Sequence, residues 1–351
     1  AFGGYFSENP GSLLGNFDYF GFKDVFVPEG DGDAAFLVAF AAFQLTFAVI
    51  TPALISGAVA DRMKFAAWAL FVPLWAIFVY SPVAHWVFGG GWLFDLGALD
   101  FAGGAVVHMN AGAAALALVL VLGKRRNWPR EKWPPHSLPL TLLGTGILWF
   151  GWFGFNAGSA LAANGLAIQA FINTFIAAGA AMIGWLIVEW LKDGKPTTLG
   201  AASGAVAGLV AITPCAGFVA GAAPIYIGLI AGALCFLAIQ LKYRFGYDDS
   251  LDVVGVHLVG GLIGSILLGL FADVSVNSLG RDGLFLGGGA GLLGDQIVAS
   301  VATLAYSFVV TFVLAKVIDV LVGIRVTEDD EQAGLDVSQH AETSYNLADI
   351  G

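Results

Sequence analysis

Residues 100–112, Asp100-Phe-Ala-Gly-Gly-Ala-Val-Val-His108-Met-Asn-Ala-Gly112, open an apolar span of more than twenty residues with a histidine about two turns in. A histidine at that depth has no water to solvate it, so it marks either a packed, carbonyl-bonded core side chain or a functional site. The pattern recurs. Residues 252–261 read Asp-Val-Val-Gly-Val-His257-Leu-Val-Gly-Gly, again a Val-His pair early in a long apolar span and again followed by glycine. Two of only five histidines thus occupy matching places about 150 residues apart. Such internal symmetry is expected of a transporter built from repeats, with its site at the repeat interface near the bilayer midplane.

Working outward, 58% of the 351 residues are hydrophobic and 12% are charged, against about 25% charged in average soluble domains. The chain is therefore all-α and polytopic, embedded in a lipid bilayer, and not a soluble enzyme. Glycine contributes 48 residues, which suits helices that pack backbone to backbone. The two cysteines lie in apolar segments and read as buried thiols. The net charge of −11 does not suggest nucleic acid as a partner, because the acid is concentrated in loops and in the tail.

Apolar spans are expected at 34–59, 66–88, 102–123, 138–160, 166–191, 198–218, 223–243, 253–272 and 292–324, each long enough for a core about 30 Å thick. The last would run roughly 50 Å, which predicts a tilted helix against the outside of the bundle. Of fifteen lysines and arginines, eleven fall in alternate loops: Arg62, Lys64; Lys124, Arg125, Arg126, Arg130, Lys132; Lys192, Lys195; Lys242, Arg244. The positive-inside rule places those loops and the C-terminus in the cytoplasm. The expected division is an extracytoplasmic loop (1–33), a transmembrane domain (34–325) and a cytoplasmic tail (326–351). Three spans reach the first histidine and five reach the second. Inverted five-helix repeats plus a long last helix would therefore give eleven spans, of which nine are present.

Phe36, Phe40, Phe43 and Phe47, spaced 4, 3 and 4, form one stripe with Gln44 beside it; such a stripe is more often packing than a site. The run from Trp149 to Ser159 predicts a polar mouth, Asn156 and Ser159, above an aromatic constriction. Gly200, Gly204 and Gly208 read as a packing seam. A metal site is the sharp rival for the histidines. Asp100, eight residues before His108, is about 12 Å away along a helix, and Asp252, five before His257, about 7.5 Å. Neither joins its own histidine, so no zinc set of three or four ligands assembles. No cofactor is expected, and Asp100 reads as a cap at the positive end of its helix.

The stretches Gly97-Ala98-Leu99-Asp100-Phe101-Ala102-Gly103-Gly104, Val107-His108, Gly151-Trp152-Phe153-Gly154-Phe155-Asn156-Ala157-Gly158-Ser159, Asp252-Val-Val-Gly-Val-His257 and Gly334-Leu335-Asp336-Val337 resemble the ammonium transporter (Amt/Rh) family, nearer its Amt branch. The resemblance covers essentially the whole chain. It implies eleven spans, the first two lacking here, and homotrimers with a pore in each subunit of the plasma membrane. By the same resemblance His108 and His257 are the twin histidines of the pore, and Phe47 and Phe155 the stacked gate. Phe43 and Ser159 belong to the outer recruitment site, with Asp100 the essential acid beneath it. Where many Amt proteins carry tryptophan before three glycines, this chain has Phe88, which puts recruitment strength and selectivity over methylammonium in question.

Chemistry supports that function. Ammonium is strongly hydrated, and stripping an ion into an apolar pore costs several kcal/mol even after relaxation, whereas neutral ammonia needs only hydrogen bonds. The expected sequence is to hold the cation outside, remove its proton and pass the neutral molecule. Two imidazoles sharing one hydrogen bond would leave a donor and an acceptor toward the lumen. The alternative is a sensor reporting ammonium to a cytoplasmic partner. The 326–351 tail has seven acids and no lysine or arginine, and the family's tail docks the trimeric PII signalling protein.

Overall fold

The structure, a computed structural model, describes residues 11–23, 25–26, 32–131 and 133–343; the rest of the expected N-terminal loop, Lys132 and the end of the tail lie outside them. Among the described residues there are helices and turns and no β-strand. Two long helices come first, α1 (Gly32–Val59) and α2 (residues 65–88, with a π-helical turn at Ala76–Tyr80). The His108 helix is α3 (Gly104–Leu122), buried over most of its length. Next come α4 (Leu138–Gly158), α5 (Gly165–Asp193), α6 (Thr198–Ile212), α7 (Ala223–Ile239), α8 (Val254–Phe271) and α9 (Gly291–Val322). Short helices α10 (Glu328–Ala333) and α11 (Leu335–His340) form the described part of the tail.

Eight of these are long and apolar enough to cross a membrane, and α6 is shorter. The expected 198–218 span ends as a helix at Ile212 because Thr213-Pro214 begins a run of turns. That run has a use. The Phe101 N–H donates to the Pro214 carbonyl at 3.1 Å, and Gly104 lies so close to the Pro214 ring that a Cβ would meet it at 2.6 Å. The turns thus cradle the entrance to α3. The Gly200, Gly204 and Gly208 seam is packing as expected, because each faces α5, at Glu189, Trp185 and Ala177. Gly228 and Gly232 of α7 face the same helix, against the carbonyls of Ala177 and Ala181.

The two halves repeat in detail. Both histidines sit in π-helical turns, Gly104–Met109 and Val254–Leu258, a widened geometry frequent at functional positions. Four residues after each histidine comes a glycine at the crossing of the two helices. A Cβ on Gly112 would lie 2.4 Å from Leu258 N, and one on Gly261 would lie 2.8 Å from the Gly104 carbonyl. Side chains there would force α3 and α8 apart.

The basic loops gather at one end. Arg62 donates to the carbonyls of Gly123 and Asp248, Arg125 pairs with Asp248 at 2.9 Å, and Arg126 N donates to Glu331 of the tail at 2.7 Å. Residues 11–13 lie at the other end, where Gly11 and Leu13 offer carbonyls to the His85 and Trp86 rings. The lysine–arginine bias predicts that this end faces outward. The long helix α9 does not present a wholly apolar face. Gln296, Ser300, Thr303, Ser307 and Thr311 are all buried along one side.

Candidate functional site

From the outer end, a cavity of about 250 Å³ is lined by Phe43, Gln44, Phe47, Phe88, Asp100 and Ser159, among others. It takes in three members of the α1 stripe, Phe40, Phe43 and Phe47, while Phe36 is exposed. The stripe therefore does more than pack. The Ser159 hydroxyl donates to the Phe155 carbonyl at 2.9 Å, which leaves its lone pairs for the cavity. Asn156 is not part of this mouth. It is fully buried and donates to Thr174 Oγ1 of α5 at 2.9 Å. The rings of Phe88 and Phe47 meet edge to face at 6.4 Å and 82°. Trp86 points away, donating Nε1 to the Leu13 carbonyl and packing on Tyr306, while Trp92 folds onto Trp86.

Asp100 lines the same cavity and caps α3. Its Oδ1 accepts from the N–H groups of Gly103 and Gly104, each at 2.7 Å, and its Oδ2 from Ala105 at 2.8 Å and Val106 at 3.3 Å. One carboxylate thus satisfies the orphan donors of the first turn of α3. Phe47, which lines the cavity, packs against Phe155 with ring centroids 4.7 Å apart at 39°. Below them His108 stacks on Trp152 at 5.3 Å and 20°, and Trp152 is fixed by its Nε1–H donating to Thr213 Oγ1 at 3.0 Å. The two histidines then meet Nδ1 to Nδ1 at 3.2 Å, rings 24° from parallel.

That contact has one chemical consequence. One Nδ1–H donates and the other Nδ1 accepts. The accepting imidazole then carries its proton on Nε2, and the donating one has a bare Nε2. The pair thus holds one donor and one acceptor at its Nε2 atoms, and His108 Nε2 is buried with no partner among the described residues. Among those residues no three His, Cys, Asp or Glu side chains come together as a metal set.

Two residues of this constellation escape a reading of the sequence. Trp152 is one of several aromatics in its run, and only the structure shows it stacked on His108. The other is Asp249. A reading that takes Asp252 as the acid before His257 passes over it, yet Asp249 Oδ2 accepts from Val254 N at 2.7 Å and caps α8. Asp252 instead pairs with Lys242 at 2.6 Å. The available signal was spacing, since Asp249 precedes His257 by eight residues, as Asp100 precedes His108. Burial, then the charge of Asp252, pushes the Asp249 carboxyl up to about 7. Its neighbour behaves oppositely. Burial alone would raise Asp248, but hydrogen bonds from Arg125 and the charge of Arg62 hold it below the usual carboxylate range.

A bundle of membrane-length helices, repeated about a buried histidine pair beneath two packed phenylalanine rings, has the architecture of a polytopic membrane protein. Residues 2–345 match the Ammonium Transporter Family. The chain is 54% identical over 336 residues to the ammonium transporter of Bacillus subtilis (strain 168), covering 95% of this chain and 82% of that one. It is 50% identical over 306 residues to ammonium transporter Amt1 of Archaeoglobus fulgidus, covering 87% and 77%. Its fold matches the crystal structure of Candida albicans Mep2 with a TM-score of 0.83 at 37% identity, over 91% of this chain and 72% of that one. It matches a structure titled Sensor Amt Protein with a TM-score of 0.85 at 29% identity, over 96% and 84%. The chain belongs to the ammonium transporter family.

Proposed function

We propose that this protein recruits ammonium at the outer cavity, removes its proton and conducts ammonia past the histidine pair. The observation that carries the reading is the 3.2 Å Nδ1–Nδ1 contact of His108 and His257 beneath the packed rings of Phe47 and Phe155. In the cavity Phe43 and Phe88 offer ring faces to a cation, each worth about 0.5–2 kcal/mol, Ser159 offers a hydroxyl oxygen, and the Asp100 charge biases the lining. Phe47 and Phe155 leave no room for a hydration shell, so the ion stays outside. The proton removed in the cavity passes to water at its outer mouth, and the neutral molecule that crosses the gate meets the Nε2 donor and acceptor of the pair below it.

The setting follows the same reading: a plasma-membrane homotrimer with a cytoplasmic tail, methylammonium being the analogue it must discriminate. A sensor role is the second reading, favoured by the match to the Sensor Amt Protein and by the tail's anchorage through Glu331. Deleting residues 334–351 should then abolish binding of a PII-type protein while leaving the bundle folded; retained binding rules out docking through the tail. For transport, His108→Ala together with His257→Ala in liposomes should abolish selective ammonium flux with the fold intact. Undiminished, equally selective flux would remove the pair from the mechanism.

A further inference from the structure

Gln296, on the first turns of α9 and 1% exposed, sends its hydrogen bonds outside its own helix. Its Oε1 accepts from Leu99 N at 2.7 Å, and its Nε2 donates to the Leu99 carbonyl at 2.8 Å and to the Ser265 carbonyl at 3.4 Å. A single amide thus grips both polar groups of the residue before Asp100. Leu99 and Asp100 both line the outer cavity, and Asp100 in turn fixes the first turn of α3. A buried amide costs free energy unless it is bonded, and an apolar side chain would fill the same space. The bonding here has a target.

The grip belongs to a longer register. Ser307 donates to the Asn110 carbonyl at 2.7 Å, and both this pair and Gln296–Leu99 are 197 residues apart, so α9 runs parallel to α3 as a splint. At the opposite end the peptide before Asp249 is held in the same way, but by a cation: Arg62 donates to the Asp248 carbonyl and to Ser250 Oγ. The two capping acids are therefore steadied by equivalent devices of different charge. A guanidinium beside Asp100 would offset its negative charge, whereas a neutral amide steadies the acid and leaves that charge to act on whatever enters the cavity.

We propose that Gln296 is a positioning residue for cation recruitment: it sets the position of Leu99 and Asp100 in the cavity lining and, being neutral, leaves the acid's field to the incoming ammonium. The inference rests on the ammonium reading above. It is tested with wild type, Gln296→Met and Ser300→Ala in liposomes, measuring ammonium and methylammonium flux against concentration. Ser300, the next polar residue on that side of α9, donates to the Gln296 carbonyl of its own helix and serves as the control. Gln296→Met should raise half-saturating ammonium about three- to tenfold, the scale of one or two neutral hydrogen bonds, with maximal flux changed far less and methylammonium discriminated less well. Ser300→Ala should match wild type. If Gln296→Met does not assemble, Gln296→Asn, one methylene too short to reach both Leu99 groups, carries the same expectation. Unchanged half-saturation and selectivity, with only maximal flux lowered, would mean that Gln296 merely supports the fold and would overturn the proposal. Wild-type liposomes without ammonium flux would sink the ammonium reading and this inference with it.

Discussion

Phe88 shows how much one side chain can set. Its ring lines the outer cavity, edge-on to Phe47, and neither nearby tryptophan takes its place, since Trp86 and Trp92 pack on each other behind it. Tryptophan is the best ring for a cation. Phe88→Trp should therefore lower half-saturating ammonium, by up to about tenfold if ~1.4 kcal/mol is recovered, and slow methylammonium relative to ammonium. Concentration-dependent uptake in liposomes reads both; if neither moves, the ring does not meet the substrate. At the inner end Asp249 offers a test by pH. Its folded-state value of about 7 lies above the unfolded value of 3.8, so between those limits the native state binds the extra proton and stability falls as pH rises. Asp249→Asn still accepts from Val254 N but does not titrate. Its thermal stability should lose less than that of wild type between pH 4 and pH 7, and parallel curves would show that Asp249 is ionised throughout.

At the level of elements, α3 and α8 cross closely enough for imidazoles to bond only because Gly112 and Gly261 are bare at the crossing. Gly112→Ala would put a methyl against backbone, which cannot swing aside. Overpacking of that kind costs about 1–3 kcal/mol, and the strain acts at the histidine contact. We expect a lower melting temperature in detergent and loss of ammonium flux, with Gly261→Ala milder because part of its obstruction is side chain. A Gly112→Ala protein that melts and transports like wild type would refute the close crossing. This part of the fold was legible in the sequence. A histidine in an apolar span is an anomaly, and its repetition beside glycine located both helices and their partnership. Hydropathy could not show the π-helical turns, because a change of hydrogen-bond register leaves composition untouched. Nor could it end α6 at Ile212, because the apolar run continues past Pro214 through turns. Asp249 was hidden beside two other acids in Asp248-Asp249-Ser250-Leu251-Asp252. Asn156 misled because it stands between Phe155, which packs on Phe47, and Ser159, which lines the outer cavity.

Across the whole molecule, the basic end is held by a buried ionic clasp that joins segments distant in sequence. Arg125 donates through its side chain to both Asp248 oxygens, at 3.0 and 2.9 Å, and its backbone N–H adds a third bond at 2.7 Å. Arg62 donates to the Asp248 and Gly123 carbonyls, and Glu331 draws in the tail through Arg126 N and Arg325. Arg125 and Asp248 are 7% and 1% exposed. Removing one charge of such a pair strands the other in the interior, which costs about 3–5 kcal/mol. The exposed partner is different: Asp61 meets Arg125 at 3.5 Å with half its side chain in solvent, and pairs of that kind contribute about 0–1 kcal/mol. Asp248→Asn keeps the shape and one of the two accepting oxygens yet leaves Arg125 without its buried counter-charge, so it should lower the melting temperature well beyond Asp61→Asn. The acid limb gives an independent reading. Because Asp248 is held below its ordinary range, its contribution is present above the unfolded value of 3.8 and disappears as pH falls through the folded one. The gap between wild type and Asp248→Asn should therefore be wide at neutral pH and close below about pH 4. Melting curves across that range decide the matter: a gap that is absent at pH 7, or that persists undiminished in acid, would show that the clasp does not hold this end together by charge.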